Sequence, residues 1–592
     1  MSGPMRAAAP RATDLARDLL AELFDALWIE DVAGFQSRAI LGTAAEDGTR
    51  DYALAIGAGH LRARVRPDGW RDGFRFAGSA RYETASSGAD IDASALLALV
   101  LAAMPDLPGT IRQRSLDELT AIIDALPDRA AWAEGLEAEA RADDAIAWER
   151  LAAWRDRPFH PLARSRHGFD QAQALAYGAE AGRYFALAWV ALARERVDGA
   201  PGVCPSDPSA TLLDQRQQAL LATEMRKRGI DGSHVTLPVH PWQAAHSLPA
   251  HFAAEREDGQ LVLLDFQGPL VAATSSLRTV ALPARPGLHL KLPLDVRTLG
   301  VRRLLPPQSL QNGLHGAALL AAGLAHDPWL AEHVALADED AFWHFREADG
   351  DLYAERPALL GCALRRLPES GGPIVPLATL AVAPGGGLPP VVRVLAGEAP
   401  DLTQLFSDIA GLVLGLVLRS VCLGFVPELH GQNALIAFDG ARPCRLILRD
   451  HDTVRCAPDW LTEVGLPVPA YLITDPQRNS LLLRRPDDLL AYAQTLAIDV
   501  ALRAIAETFA EAEQGFTLVE ARRILVATVR RVLGEAEAPP ERKQWVATCL
   551  LERPLAPFKQ VLTPLFAASA LTTSMPSRLG CAANPLFLGA RS

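Results

Sequence analysis

The chain has 592 residues, 49% of them apolar and 22% charged, and carries a net charge of −12. At about 150 residues per domain that content buries several cores, and it excludes a disordered, collagen-like or disulfide-scaffold protein. The acidic balance argues against a surface devoted to nucleic-acid phosphates, while leaving room for a local basic cleft.

Apolar residues at helical spacing predict a helix over 12–28. From 38 to 83, short alternating segments such as LRARV and FRFAG predict antiparallel strands. Helical patterns return at 93–104, 115–126 and 129–154. A long helix is expected from Asp170 to Arg196, followed by a Pro/Gly-rich linker from Gly199 to Pro208. Between 234 and 305, HVTLPVH, LVLLDF, RTVALP and LHLKLPL read as strands punctuated by Gly and Pro. Helices are expected over Gln308–Ala325 and 402–423, with Gly/Pro-rich loops over 368–390 between them. GFVPELHGQNALIAF and CRLILRDHD read as a loop between strands, and 486–570 as mostly helical. The most apolar run, Ile409 to Leu418, is interrupted by Arg419 and falls short of the about 20 residues of a membrane span. No secretory signal is visible, and the seven scattered cysteines form no C-x-x-C pair. A soluble, cytoplasmic protein without zinc, disulfides, membrane or nucleic acid is the expectation.

The chain contains no P-loop, no G-x-G-x-x-G after a strand, no G-x-S-x-G elbow and no H-E-x-x-H. Four polar clusters stand out instead. His160-Pro-Leu-Ala-Arg164-Ser165-Arg166-His167 offers guanidinium forks and a hydroxyl in a loop, as an anion site needs, but taken alone it reads first as a solvated Arg-rich loop. Thr274-Ser275-Ser276-Leu277-Arg278-Thr279, downstream of His240-Pro241-Trp242-Gln243, lies at a turn between strands, where a phosphate site and a capping turn compete. Lys291, with Arg297, Thr298, Arg302 and Arg303 after it, interrupts a strand with a point charge suited to phosphate, or lies on an exposed strand face. Glu428-Leu429-His430-Gly431-Gln432-Asn433 and Arg449-Asp450-His451-Asp452 flank a hairpin long enough to put Asn433 and Asp450 at one end, a Mg²⁺-type donor set. Composition ranks two of these positions independently. Only four of the 58 basic residues are lysine (Lys227, Lys291, Lys543, Lys559), and only four asparagines occur (Asn312, Asn433, Asn479, Asn584). Lys291 and Asn433 fall inside clusters, while Lys227, Lys543 and Lys559 lie outside every motif.

In that order, HPLARSRHGF, HPWQ, TSSLRT, KLPLDVRTLGVRRL, ELHGQN and RDHD resemble the siderophore synthetases that work without a nonribosomal peptide synthetase, the aerobactin-synthetase IucA/IucC family. The motifs span about 155–455, and length and layout extend the likeness to the whole chain. The resemblance implies an α+β, cupped-hand fold with mixed and antiparallel sheets: a thumb over 1–155, nucleotide-binding fingers over 156–370, and a palm with a helical C-terminal part over 371–592. It implies use of ATP and Mg²⁺ to adenylate a carboxylate of citrate or a citrate derivative, which an amine or hydroxyl then captures, in a homodimeric enzyme. Carried over motif by motif, His160, Ser165, Arg166, Ser276, Arg278, Thr279, Lys291, Gln432, Asn433 and Asp450 would bind ATP. Arg303 and His430 would hold the carboxylate, with Lys291, Arg303 and His430 catalytic and Glu428, Asn433 and Asp450 the metal set. The chain departs from the family where Arg164 replaces the usual lysine and Arg297-Thr298-Leu299-Gly300 the common Gln-x-Thr-Ser. The rival readings are a kinase-like phosphotransferase built on His430 to Asp452, and a non-catalytic citrate or siderophore binder.

Overall fold

The structure, a computed structural model, describes residues 10–138, 141–155, 157–202, 206–476, 479–512, 514–567 and 578–587. Residues 203–205 of the expected linker, Cys204 included, lie outside that set, as do 139–140 and 568–570 of the expected helical stretches.

The first helix, α1 (Ala12–Ile29), buries Leu19, Leu23, Phe24 and Leu27. These pack on an antiparallel meander of β1 (Ile40–Leu41), β2 (Arg50–Ile56), β3 (Gly59–Pro67), β4 (Phe74–Glu83) and β5 (Gly88–Ile91). Strict alternation builds this sheet: in β3, Leu61, Ala63 and Val65 point inward and Arg62, Arg64 and Arg66 outward. Four helices follow, α2 (Ala93–Ala102), α3 (Gly109–Asp124), α4 (Leu126–Ala138) and α5 (Ala145–Ala153).

The long helix expected over Asp170–Arg196 does not form. A short helix, α6 (Gln171–Tyr177), ends at Gly178, Gly182 turns the chain at φ 67°, and Tyr184–Ala193 is a strand, β6. YFALAWVALA misleads because β6 is largely buried inside a sheet and lacks the polar alternation of a half-exposed strand. The following strands are β7 (Val197–Gly199), β8 (His234–Val239), β9 (Leu261–Ala273), β10 (Thr279–Leu282), β11 (Arg285–Lys291), β12 (Leu294–Thr298), β13 (Val301–Arg303), β14 (Val334–Leu336), β15 (Phe342–Phe345) and β16 (Gly361–Arg366). Eight of the strands form one antiparallel sheet in the order β7-β15-β16-β11-β10-β9-β6-β8. The HPWQ motif starts a helix, Pro241–His251, with His240 as its cap.

A third, mixed sheet runs β14-β20-β19-β17, with β17 (Ile374–Pro376), β19 (Ala434–Asp439) and β20 (Arg442–Leu448); the short pair β18 (Phe425–Val426) and β21 (Arg455–Cys456) lies beside it. Strand β14 reaches this sheet from 334–336, so chain segments cross the expected boundary at 370/371. The helix Leu402–Leu423 is buried on nearly every side in the largest apolar cluster. It and Pro486–Glu511 are long and apolar enough to cross a membrane, yet 83% and 89% of their apolar windows are buried in the protein itself. Arg419, which interrupts the apolar run, is neutralised by Asp327 at 3.0 Å.

The 486–570 stretch is mostly helical as far as residue 552, and a short helix returns at Thr563–Ala567. Pro554 and Pro557 end that pattern, and a hairpin of β22 (Leu555–Gln560) and β23 (Arg578–Ala583) follows. The turn after β22 is fastened to α1: the Glu30 carboxylate accepts the backbone N–H groups of Val561, Leu562 and Thr563 at 2.5, 2.9 and 2.7 Å.

Candidate active site

Two sheets deliver their polar clusters to one place. Strand β11 ends at Lys291, paired in register with Thr279, so Lys291 stands beside the TSSLRT turn that joins β9 to β10. In the other sheet Ala434 pairs with Leu448, and the next residues, Asn433 and Arg449, are joined by a backbone hydrogen bond of 3.0 Å. Asn433 and Asp450 therefore leave the same end of the hairpin. Lys291 Nζ reaches across the sheets to Asp450 Oδ1 at 2.6 Å and Asp452 Oδ2 at 3.9 Å.

Asp450 has φ 68°, a left-handed conformation unusual for a residue with a side chain. It is held there from both ends, its N–H donating to Glu339 Oε1 at 2.9 Å and its carboxylate accepting from Lys291 Nζ. Burial opposes ionisation of Asp450, but Lys291, Arg365 and Arg278 outweigh it and hold the carboxyl far below its usual range. Its neighbour behaves oppositely: burial and the Asp450 charge push the Asp452 carboxyl up to about 7. Two adjacent carboxylates with unequal proton affinity beside a lysine form an electrostatically crowded site that an added cation would relieve. Among the described residues no three His, Cys, Asp or Glu side chains converge on one metal position. Glu428, expected in the metal set, is engaged elsewhere, by the Thr453 hydroxyl at 2.9 Å and Arg455 at 3.6 Å. Those partners and nearby Lys559 hold its carboxyl at about 2 against the opposing effect of burial.

The turn and the hairpin are locked together by a residue no motif flagged. Glu149 of α5 accepts both the N–H and the hydroxyl of Ser275, at 3.2 and 2.9 Å, and pairs with both terminal nitrogens of Arg449. One buried carboxylate thus ties α5, the TSSLRT turn and the RDHD strand end. The adjacent charges of Glu149 and Arg150 within the otherwise apolar segment AIAWERLAA were the available signal.

Ser165, Arg166, Ser276, Thr298, Arg303 and Gln432 line a narrow cleft of about 50 Å³ next to this centre. Arg303 donates to the Thr298 hydroxyl, and Arg278 donates to the Leu304 carbonyl. Thr279 is buried in the turn, its N–H bonded to Ser276 O at 2.6 Å. Arg166 is paired with buried Glu180, which Arg129 also approaches at 3.3 Å, and Arg164 pairs with Glu22 at 3.0 Å. These two arginines thus carry internal counter-ions. His430 Nδ1 accepts the Gln432 N–H at 3.2 Å, and Arg157 lies 3.0 Å from the same ring. Burial and Arg157 hold the ring neutral, its pKa well below the usual value, with the guanidinium 3.0 Å from Nδ1 and 3.3 Å from Nε2. His160 is likewise neutral, at about 3 through burial and the nearby Lys559 and Arg157, with Nδ1 accepting the Leu162 N–H.

Comparison with known proteins fits this picture. Residues 144–382 match the IucA / IucC family, and residues 403–572 match the ferric iron reductase FhuF-like transporter family. Staphyloferrin B synthase of Staphylococcus aureus is 32% identical over 455 residues, covering 74% of this chain and 76% of its own length. The chain belongs to the IucA/IucC family of siderophore synthetases. Aerobactin synthase of Escherichia coli is 26% identical to this synthetase over 48% of the chain and 52% of its own length. Among solved structures, petrobactin biosynthesis protein AsbB from Bacillus anthracis superposes with a TM-score of 0.81 over 97% of this chain and 96% of its own, at 17% identity. ATP-bound aerobactin synthetase IucA from Klebsiella pneumoniae gives 0.69 over 96% and 100%, at 19% identity. The mixed α+β fold with a helical C-terminal part is therefore the family's.

Close packing sets the position of the synthetase's RDHD turn. A Cβ on Gly316, in the helix Pro307–His326, would lie 2.0 Å from the His451 carbonyl oxygen. Gly316→Ala is expected to push the turn and Asp450 aside and to cost up to about a hundredfold in turnover, as ångström-scale misplacement of reacting groups does. Steady-state kinetics beside a melting curve would check this; unchanged turnover would mean the turn tolerates the shift.

Proposed function

We propose that this synthetase adenylates one carboxylate of citrate or a citrate derivative and passes the acyl group to an amine or hydroxyl. The observation that carries the reading is the meeting of Lys291, Asp450 and Asp452 with the Ser276–Thr279 turn, beside the neutral His430 and Arg303. ATP use follows from membership of this ligase family. The carboxylate oxygen attacks the α-phosphorus, the bond to the bridging oxygen breaks, and pyrophosphate leaves with the electron pair. Lys291 and Arg278 stabilise charge gathering on the phosphates, in a site whose dipoles are already in place. His430 and Arg303 orient the carboxylate, where proximity contributes at most about 7–11 kcal/mol. The amine then attacks the acyl carbon and AMP departs. No step needs a nucleophile from the protein, in keeping with the missing nucleophile motifs.

Asp450, Asp452 and the Asn433 amide are the donors we assign to Mg²⁺, a hard-oxygen set that ATP phosphates would complete. Bound there, the metal would neutralise phosphate charge. Names among the relatives, such as a citryl-spermidine ligase of Bacillus anthracis, support citrate and an amine as the substrate classes. A cytoplasmic homodimer completes the proposal, with sedimentation to test the dimer.

The decisive assay is pyrophosphate release from ATP with citrate, with hydroxylamine trapping the adenylate as a hydroxamate. AMP and pyrophosphate are expected. ADP and phosphate would instead identify a phosphotransferase, and nucleotide-independent citrate binding a simple binder. A panel of diamines, hydroxylated diamines, diaminopropionate and ethanolamine would then name the nucleophile.

A further inference from the structure

The two halves of the site stand on different sheets, and one short segment joins those sheets where the halves meet. Strand β14 lies in the four-stranded sheet, parallel to β20, and β15 in the eight-stranded sheet, so residues 337–341 pass from one to the other. They are bonded to both. On the β20 side the Ala337 N–H donates to the Leu448 carbonyl at 2.8 Å, and the Ala337 carbonyl lies 3.0 Å from His451 Nε2. On the β16 side Asp338 and Arg366 exchange backbone hydrogen bonds of 2.9 and 2.8 Å, and the Leu364 N–H donates to the Ala341 carbonyl at 2.8 Å. Glu339 is the middle residue of this segment. Its Oε1 accepts both the Asp450 N–H and the Arg365 Nε–H. Arg365 comes two residues after Ala363, the register partner of Lys291, so Arg365 and Lys291 rise from the same face of the sheet. The Arg365 side chain is 5% exposed, and Glu339 is its only ion-pair partner among the described residues.

A left-handed residue other than glycine is disfavoured by its Cβ and persists where its surroundings over-determine it. Asp450 has φ 68° and ψ 71°. Neither sheet dictates that conformation. Strand β20 ends at Leu448, and among the described residues the Asp450 N–H has the Glu339 carboxylate as its acceptor. The Lys291 contact cannot take over this task, because an ammonium on a flexible stem follows the carboxylate wherever it goes. Glu339 can, because a buried guanidinium holds it from behind and a charged acceptor makes the stronger kind of hydrogen bond. Without that acceptor the backbone would relax to ordinary angles and carry the Asp450 carboxylate away from Lys291.

We propose that Glu339, locked by Arg365, is a positioning residue for the metal–nucleotide site: it selects the left-handed backbone of Asp450 and so aims that carboxylate. Because residues 337–341 grip both sheets, the same contact sets the separation of the Lys291 strand from the Asp450 turn. This rests on the adenylation reading above and on the assignment of Mg²⁺ to Asp450.

The test compares wild type with Glu339→Gln, Glu339→Ala and the double variant Glu339→Ala/Arg365→Met. The amide of Glu339→Gln keeps an oxygen able to accept the Asp450 N–H. The double variant removes that acceptor without leaving the Arg365 charge buried and unpaired, so it separates positioning from simple destabilisation. Mn²⁺ serves as the metal probe, its affinity read by electron paramagnetic resonance with a non-hydrolysable ATP analogue present, and pyrophosphate release gives kcat and KM. The double variant is expected to melt close to wild type, to lose at least about tenfold in Mn²⁺ affinity and in kcat, and to leave KM for citrate within about twofold, as release of one strained residue implies. Glu339→Gln should keep most of both. A double variant that melts, binds Mn²⁺ and turns over like wild type overturns the proposal. So do equal losses in Glu339→Gln and the double variant, since charge and not the hydrogen bond would then be at work. A crystal structure of the double variant decides the point without metal or chemistry: Asp450 should leave the left-handed region, and a φ still near 68° overturns the positioning role. Should wild type release no pyrophosphate with citrate, the adenylation reading fails separately, and the Asp450 conformation still decides Glu339.

Discussion

Lys291→Ala is expected to slow pyrophosphate release at least about a hundredfold, the scale of losing one group that stabilises a developing oxyanion. Lys291 is a poor candidate for a merely structural charge. It ends a central strand, its side chain is only 8% exposed, and it bridges two carboxylates of unequal acidity. The substitution also strands Asp450, and breaking one side of a buried pair costs about 3–5 kcal/mol. Loss of activity through unfolding must therefore be separated from loss of chemistry. Lys291→Ala combined with Asp450→Asn removes both charges and should recover most of the melting temperature while remaining inactive. A double variant that regains turnover along with stability would reduce Lys291 to a structural partner of Asp450.

The second large effect belongs to Glu149, which with Arg449 is 4% and 2% exposed, well inside the regime where an unpaired charge is expensive. Glu149→Ala should destabilise the protein by about 3–5 kcal/mol and lower turnover, because Arg449 and Ser275 lose their common anchor. The pH dependence has a definite sign. Burial would raise the Glu149 carboxyl, but Arg449 and the Ser275 N–H override it and bring it from the ordinary 4.5 down to about 2. That difference stabilises the fold by about 3 kcal/mol above pH 4.5, and the benefit is lost as pH falls from there toward 2. The gap in urea stability between wild type and Glu149→Gln should thus be largest near neutrality and shrink below pH 4.5. A gap that is constant with pH would mean that packing, not charge, holds the three elements together.

What could be read in advance divides along physical lines. Periodicity located α1, the meander and the helix Leu402–Leu423, because each carries its pattern within one element. It failed for β6, where burial erases the alternation that separates strand from helix. The polar clusters were legible because each is contiguous, and their convergence on Lys291 followed from strands ending at one level. Glu149 and Lys559 were not legible. Their partners lie hundreds of residues away, and neither sits in a motif. Lysine scarcity did single out Lys559 alongside Lys291, but without a polar neighbourhood in sequence it could not be assigned a place.

The grip of Glu30 on residues 561–563 has a consequence for how the molecule assembles. It closes a loop of more than 500 residues and fixes the end of the strand that carries Lys559. Closing so long a loop costs only modestly more than closing a short one, but contacts of such sequence separation form slowly and late. The α1 meander and the large apolar core must each fold before their edges can meet. The region around His430 is therefore walled in part by a segment from the far end of the chain, whose position depends on that tertiary contact and not on its own sequence neighbours.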